Sequence, residues 1–263
     1  MKTIALEDGT IAYRESGPAD GPLVVLAHGM GDTHATYRFL APELAAAGYR
    51  VITPDLRGAG ESSLEWPRYG TLAVAEDLTA LIAGLGGPAV LIGHSFTAGS
   101  VAHIAADRPD LVSALVLLGP AVRHEKPNPV MNLVARLVTG NAALWTMYYR
   151  SLYPGAKPAD FSEYLAGLKR SLRRPGGMRA VRGTLDSFTV DRPPELSKVT
   201  APALVVMGGK DGDFSDPAGE ARRIATTLAG PSDALVLPES GHYPHVDAAA
   251  EVTAAVREFL AAH

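Results

Sequence analysis

Short apolar runs and longer amphipathic stretches alternate along the first half of the chain. Residues 72–85 carry apolar side chains at helical spacing and stop at the Gly86-Gly87-Pro88 breaker. Strands that alternate with helices in this way predict a mostly parallel sheet covered by helices on both faces. The runs that read as buried strands are 23–27, 50–53, 89–92 and 114–118.

The pattern changes after residue 118. Residues 123–195 contain no strand-like run and carry apolar and aromatic residues at helical spacing, interrupted by prolines and glycines. We therefore predict an α/β core domain, 1–122 and 196–263, and a helical cap, 123–195, above the carboxyl ends of the strands, where open α/β sheets bind ligands. After the cap, the pattern predicts strands at 203–207 and 234–237 and helices at 217–228 and 252–260.

Composition and charge exclude several classes of function. The chain has 263 residues, 47% hydrophobic and 20% charged, which fits one large α/β domain. Its formal net charge is −4, so no broad positive surface is expected to hold a nucleic acid backbone. It has no cysteine, which excludes disulfides, thiolate metal ligands and cysteine nucleophiles. Any covalent catalysis must therefore use an oxygen or a nitrogen atom.

The lengths of the apolar runs also predict the cellular location of the protein. The first residues reach Glu7 and Asp8 too soon to form the apolar region of a secretory signal. No stretch approaches the ~20 consecutive apolar residues that a membrane span requires. We expect a cytoplasmic protein that acts on a small molecule, with neither nucleic acid nor a membrane as partner. The sequence leaves homo-oligomerisation open.

Ser95 stands between a predicted strand and a helical run that begins at Ala98. The sequence Gly93-His94-Ser95-Phe96-Thr97 predicts a tight turn that exposes the serine hydroxyl above the sheet. The Phe96 amide and the helix N-terminus would point at the same place and stabilise a developing oxyanion there. A structural serine that caps the helix is the alternative. Thr97 occupies the second glycine position of the GxSxG pattern, so its branched side chain is expected to displace the turn slightly.

Three further motifs accompany this turn. They are HGMG at 28–31, DLRGAGES at 55–62 and GHYPH at 241–245. With them the chain resembles the α/β-hydrolase superfamily over nearly its full length. The resemblance implies the α/β-hydrolase fold, a mostly parallel central sheet flanked by helices with a helical cap insertion. It also implies a serine nucleophile, a histidine base and a carboxylic acid, and no cofactor is expected.

The resemblance assigns Ser95, His242 and Asp211 to these three roles. His242 follows Gly241 in the loop where the family has its histidine, and His245 is the alternative. A zinc site on the two histidines lacks a third protein ligand at a supporting spacing, so no metal is expected. Asp211 matches the family's GxxD pattern, and the alternatives in the same loop are Asp213 and Asp216.

The family also forms an oxyanion hole from two backbone amides. One belongs to the residue after the elbow serine, here Phe96, and the other to the residue after the HG pair, here Met30. Bulky residues of the predicted cap could line an apolar pocket and orient a substrate, although each could instead bury a helix face against the core. The candidates for substrate binding are Met131, Trp145, Tyr148 and Tyr149.

These features favour a serine hydrolase that cleaves an ester, thioester or lactone of a small, largely apolar molecule through an acyl-enzyme. Two alternatives stay open: a lyase, cyclase or C–C bond hydrolase on the same fold, and a ligand-binding receptor with slow turnover. Epoxide hydrolase and haloalkane dehalogenase chemistry needs a carboxylate nucleophile, and position 95 is serine.

Overall fold

The computed structural model describes residues 1–123, 129–155 and 157–263. In this part of the chain eight strands form one sheet in the order β1-β2-β4-β3-β5-β6-β7-β8. β1 and β2 are antiparallel additions at one edge, and β3 to β8 run parallel. The strands are β1 (Lys2–Leu6), β2 (Gly9–Ser16), β3 (Leu23–Ala27), β4 (Arg50–Pro54), β5 (Ala89–His94), β6 (Val112–Leu118), β7 (Ala203–Gly208) and β8 (Ser232–Leu237).

The helices of the described residues lie on both faces of the sheet and in the segment between β6 and β7. They are α1 (Leu40–Ala46), α2 (Thr71–Leu85), α3 (Phe96–Asp107), α4 (Pro129–Val138), α5 (Ala142–Ser151), α6 (Phe161–Leu172), α7 (Arg179–Ser187), α8 (Pro217–Thr227), α9 (Pro244–Asp247) and α10 (Ala249–Ala262). None of these helices combines the length and the apolar composition that crossing a bilayer requires.

The strands and helices predicted from the apolar pattern are present, with ends that move by a few residues. The pattern did not reveal the β1–β2 hairpin or α1. β1 is an edge strand whose side chains are mostly exposed, so it has no apolar run to mark it. α1 has only seven residues, too few to show a helical period clearly.

β5 shows how the sheet builds two core layers. Ala89 and Leu91 pack in the layer that contains α2, α3 and α8, whereas Val90 and Ile92 pack in the layer with α1 and α10. Successive residues of a strand point to opposite faces, so a strand covered on both sides is apolar throughout. The parallel strands therefore form an apolar scaffold, and polar side chains that could take part in catalysis are expected at the strand ends.

Helices α4 to α7 lie in the segment predicted as an insertion, and we call residues 129–195 the cap. Its apolar side chains share one buried cluster with Tyr243 and Val246, which belong to the chain after β8. Trp145 and Tyr149 of α5 are buried in this cluster. The cap thus packs on the loops at the carboxyl ends of the strands. The division into a 123–195 cap domain and a separate core domain stays a prediction.

Candidate active site

Ser95 lies on a strained turn between β5 and α3. Its φ of 59° and ψ of −124° make it the one non-glycine residue with a positive φ among the residues described. A Cβ at Gly93 would lie 2.6 Å from the Thr97 carbonyl oxygen and 2.8 Å from the Ala98 nitrogen, so glycine is needed there. Backbone strain of this kind costs about 1–3 kcal/mol and clusters at functional sites. The turn predicted around Ser95 is present.

Thr97 is fully buried beside this turn. Its hydroxyl accepts a hydrogen bond from the His94 amide at 2.9 Å. The same oxygen lies 2.8 Å from the carbonyl oxygens of both Ala27 and His94, to either of which it can donate its proton. The branched side chain is thus accommodated with its hydroxyl hydrogen-bonded, and a displacement of the turn stays a prediction. Thr97 fits between β3 and β5 and joins the turn to the end of β3.

The ends of β5 and β6 bring Ser95 into the neighbourhood of the predicted histidine and aspartate. The Ser95 amide donates to the carbonyl of Leu118, at 2.9 Å. The next residue, Gly119, has a φ of 49°, and a Cβ there would lie 3.0 Å from the His242 carbonyl oxygen and 3.6 Å from Asp211 Oδ2. Residues far apart in sequence therefore converge at the carboxyl ends of the parallel strands.

His242 and Asp211 form a buried hydrogen bond. Nδ1 of His242 donates to Oδ2 of Asp211 at 2.7 Å, and the two side chains are 5% and 0% exposed. The other carboxylate oxygen of Asp211 accepts a hydrogen bond from the amide of Asp213, at 3.0 Å. The carboxylate is therefore held on both sides, and it fixes the orientation of the imidazole.

The two alternative acids of this loop are placed differently. Oδ2 of Asp213 lies 3.7 Å from Nδ1 of His242, beyond hydrogen-bond distance, and its side chain is 36% exposed. Its carboxylate accepts a hydrogen bond from the Tyr148 hydroxyl, at 2.8 Å. Asp216 caps α8 by accepting from the amide of Gly219 at 2.9 Å. Of the three aspartates, Asp211 is the one bonded to His242.

The charge state of His242 depends on two opposing effects. Burial lowers the pKa of the imidazole, but the charge and the hydrogen bond of Asp211 raise it, with a further contribution from Asp213. The resulting pKa lies above that of a free histidine. Because Nδ1 is the donor to Asp211, Nε2 of the neutral ring carries a lone pair and can accept a proton.

His245, the alternative base, has a different environment. Its ring is fully buried, and Nε2 lies 2.9 Å from the Thr36 hydroxyl. Burial, with the charges of Arg38 and His242, lowers its pKa to about 3, so the ring stays neutral. His245 is therefore an interior residue of the core.

One group of potential metal ligands occurs among the described residues. Atoms of Asp211, Asp213 and His242 lie within 4.8 Å of one another. His242 Nδ1 already donates to Asp211, so a cation at this place would have to replace that hydrogen bond. The donor set fits a histidine–carboxylate pair better than a built metal site.

The two predicted oxyanion donors lie on backbone close to Ser95. Phe96 is the first residue of α3, so its amide has no carbonyl one turn earlier to bond within the helix. The loop after β3 carries Met30. A Cβ at the preceding Gly29 would lie 3.4 Å from Ser95 Cβ and 2.6 Å from His94 Nδ1, so this loop passes directly beside the serine.

A small cavity opens beside Met30 and Phe96, between the core loops and helices α6 and α7. Its volume of about 30 Å³ makes it much smaller than the pockets of about 300–1,000 Å³ that enclose a whole drug-sized ligand. The larger apolar residues of its wall are Met30, Leu56, Val74, Phe96, Leu168, Leu172 and Val181. A wider cleft of about 260 Å³ reaches His242 and Asp213 from the outside.

The cap residues predicted to bind substrate occupy varied positions. Trp145 is buried, and a Cβ at Gly31 would lie 2.6 Å from its indole ring. Tyr149 has no exposed surface, so in this conformation it is an interior residue and not a pocket wall. Tyr148 reaches the loop of Asp213. The side chain of Met131 lies outside the described residues. A role of these four residues in substrate binding stays a prediction.

Asp32 and Tyr164 are two residues near the site that the sequence motifs do not include. The carboxylate of Asp32 is buried beside the Met30 loop and accepts hydrogen bonds from the hydroxyls of Tyr149 and Tyr164. An acid directly after HGMG, in a loop that approaches the turn of Ser95, was a usable signal for Asp32. Tyr164 gives no such signal, because a tyrosine on an amphipathic helix is ordinary.

The sheet order, the strained serine turn and the buried histidine–aspartate pair define the class of the protein, an enzyme with the α/β-hydrolase fold. The pattern of the family described as "Alpha/beta hydrolase family" matches residues 24–256. The chain belongs to this family. The resemblance seen in the sequence motifs is thereby confirmed.

Known proteins of this family are similar over most of their length. An epoxide hydrolase of Caballeronia sordidicola is 27% identical over 288 residues, covering 91% of this chain and 88% of its own. A thermophilic esterase from Thermogutta terrifontis superposes with a TM-score of 0.83 at 24% identity, covering 99% and 98% of the two chains. An enol-lactonase from Burkholderia xenovorans LB400 gives a TM-score of 0.82 at 20% identity, covering 99% and 100%. Because these two structures are at most 24% identical to the chain, their similarity establishes the fold and nothing finer.

Proposed function

We propose that the protein is a serine hydrolase that cleaves an ester, thioester or lactone of a small, largely apolar molecule through an acyl-enzyme. One observation carries the proposal. The 2.7 Å hydrogen bond between His242 and Asp211 lies at the carboxyl ends of the strands, as does the strained turn of Ser95. A serine hydroxyl is too weakly acidic to attack a carbonyl unaided, so it needs such a base.

In the first half of the reaction, Ser95 Oγ attacks the carbonyl carbon and His242 Nε2 takes the hydroxyl proton. The Asp211 carboxylate stabilises the imidazolium that forms. The carbonyl oxygen becomes an oxyanion between the amides of Met30 and Phe96. The tetrahedral intermediate then expels the alcohol or thiol, which receives the proton from His242, and the acyl group stays on Ser95.

In the second half, His242 removes a proton from a water molecule, which attacks the acyl-enzyme. A second tetrahedral intermediate collapses, the acid leaves, and Ser95 Oγ recovers its proton from His242. Removal of one side-chain donor from an oxyanion hole costs about 2.7–4 kcal/mol in such reactions. Both donors here are backbone amides, so they act on any acyl group.

The cavity next to the proposed oxyanion hole favours an apolar acyl group. Aliphatic and aromatic side chains dominate the small cavity beside Met30 and Phe96. The esterase and the enol-lactonase that share the fold are named for acyl chemistry. The relative from Caballeronia sordidicola is named an epoxide hydrolase. Epoxide opening on this fold needs a carboxylate nucleophile, and the serine at position 95 favours acyl transfer instead.

Labelling with a fluorophosphonate tests the proposal directly. The wild-type protein should be labelled at Ser95 and should hydrolyse p-nitrophenyl acetate. Ser95→Ala should lose both properties while its circular dichroism and melting temperature stay near those of the wild type. The matched control is Ser100→Ala, because this serine lies on the same helix with its hydroxyl bonded to the Thr71 carbonyl at 2.8 Å. Undiminished labelling of Ser95→Ala would exclude Ser95 as the nucleophile.

A further inference from the structure

Asp32 is a buried carboxylate in the loop that carries the Met30 amide. It is 1% exposed, and three groups donate hydrogen bonds to its oxygens. The amide of Thr33 donates to Oδ1 at 2.7 Å, and the hydroxyl of Tyr149 donates to Oδ2 at 2.9 Å. The hydroxyl of Tyr164 donates to Oδ1. Two of these three donors belong to the cap, one on α5 and one on α6.

The backbone of this loop is tied to the same contacts. The Asp32 amide donates to the Gly29 carbonyl at 3.3 Å, which closes a turn around Met30 and Gly31. Gly31 has a φ of 66°, and a Cβ there would lie 2.6 Å from the ring of Trp145, which also belongs to α5. The cap therefore contacts the loop at Gly31 and Asp32, the two residues that follow Met30.

The energetic cost of burying a carboxylate makes these contacts consequential. A polar group that is buried without a hydrogen-bond partner costs about 1–3 kcal/mol, and a charged group costs more. Burial raises the pKa of Asp32 above its ordinary value, and the charge of His28 and the hydrogen bonds from Tyr164, Thr33 and Tyr149 offset only part of this effect. If the cap hydroxyls were absent, the free energy would be lower with the carboxylate turned toward water. The turn around Met30 would then change with it.

We infer that Asp32, Tyr149 and Tyr164 are positioning residues through which the docked cap sets the Met30 amide of the oxyanion hole. The inference rests on the proposed serine hydrolase function. Ground-state binding of a small ester depends little on this amide, whereas the tetrahedral intermediate depends on it strongly. The docking of the cap is thereby coupled to turnover, because an enzyme with a displaced cap has an incomplete oxyanion hole.

Removal of single hydroxyls tests the inference. Tyr149→Phe and Tyr164→Phe each delete one donor to Asp32 and keep the ring in the cap. Each should lower kcat for p-nitrophenyl acetate about tenfold and leave KM within about twofold, since misplacement of a catalytic group costs turnover. The matched control is Thr146→Val, which should keep kcat. The Thr146 hydroxyl is also buried on α5, but it donates to the Ala142 carbonyl, at 3.0 Å, within the helix.

The affinity for a tetrahedral adduct gives a second readout, which would not change if the hydroxyls only stabilised the fold. Phenylboronic acid forms such an adduct with an active-site serine. Its inhibition constant should rise by about the factor by which kcat falls. Tyr149→Phe and Tyr164→Phe variants with a lower melting temperature but wild-type kcat and boronate affinity would overturn the inference. A rise in KM at constant kcat would overturn it as well, since the hydroxyls would then serve ground-state binding.

The two proposals fail in different ways. If wild-type protein is not labelled by the fluorophosphonate, the serine hydrolase function fails and the inference fails with it. If wild-type protein is labelled at Ser95 while the phenylalanine variants turn over like the wild type, only the positioning role fails. Asp32→Asn provides a further check, because its amide nitrogen cannot accept a hydrogen bond. It should lose at least as much kcat as the weaker of the two tyrosine variants.

Discussion

The imidazole of His94 donates a hydrogen bond from Nε2 to the backbone carbonyl of His242, at 2.8 Å. His94 is fully buried next to the turn of Ser95, and its ring centroid lies 5.0 Å from that of His242. Burial, together with the charges of His245 and His242, holds its pKa well below the usual range, so the ring is neutral. The residue before Ser95 thus holds the loop of the proposed base.

This contact predicts a graded effect of substitutions at position 94. His94→Leu removes the donor to His242 and should lower kcat about tenfold or more, because the base shifts relative to Ser95. His94→Gln keeps an N–H donor and should recover part of the loss. Steady-state kinetics with p-nitrophenyl acetate measure both variants. Equal activity of the leucine and glutamine variants would show that the hydrogen bond has no role in turnover.

The loop of Asp211, the proposed acid, gives a second prediction. Asp211→Asn should lower kcat by about 10⁴, as loss of the acid does in serine triads, because the amide favours the wrong imidazole tautomer. Asp213→Asn is the matched control two residues away and should stay within about threefold of the wild type. The ratio of kcat values from parallel assays decides the assignment. The opposite ranking would transfer the role of the acid to Asp213.

The pKa of His242 predicts the pH dependence of hydrolysis. The base must be neutral to accept a proton, so kcat/KM should fall as the pH drops through its pKa. Asp211 and Asp213 raise this pKa against the effect of burial, so the midpoint of the acid limb should lie above the ordinary value of about 6.5. Asp213→Asn should move the midpoint to lower pH, because one raising charge is removed. A midpoint that moves upward in this variant would contradict the assignment.

The small cavity beside Met30 and Phe96 predicts which substitutions change the selectivity for the acyl group. Val181 is 2% exposed and lines the small cavity beside Met30 and Phe96. Val181→Ala should raise kcat/KM for butyrate relative to acetate esters about tenfold, since one methylene of fit is worth about 1–3 kcal/mol. Val134→Ala is the matched control, because Val134 is also a cap valine but is 48% exposed. If the two variants show the same ranking of chain lengths, this cavity does not hold the acyl group.

The sequence by itself determined the scaffold and the identity of the central turn. The strand predicted at 23–27 coincides with β3, because a strand buried on both faces is marked by its uninterrupted apolar run. The turn at Ser95 was equally predictable, since it depends on a local arrangement of a strand end, Gly93 and a helix start. Features of this kind are encoded by neighbours in the chain.

Only the tertiary structure shows which of several candidates in one loop contacts His242, although the sequence favours Asp211. Asp211 and Asp213 are two positions apart in one loop, and the course of the backbone alone brings the first to 2.7 Å from His242 and leaves the second at 3.7 Å. The hydrogen bond from Tyr149 to Asp32 joins residues 117 positions apart. Helical spacing showed that α5 has an apolar face, but not what covers it. Contacts between distant segments depend on how the whole chain packs, and no local pattern records them.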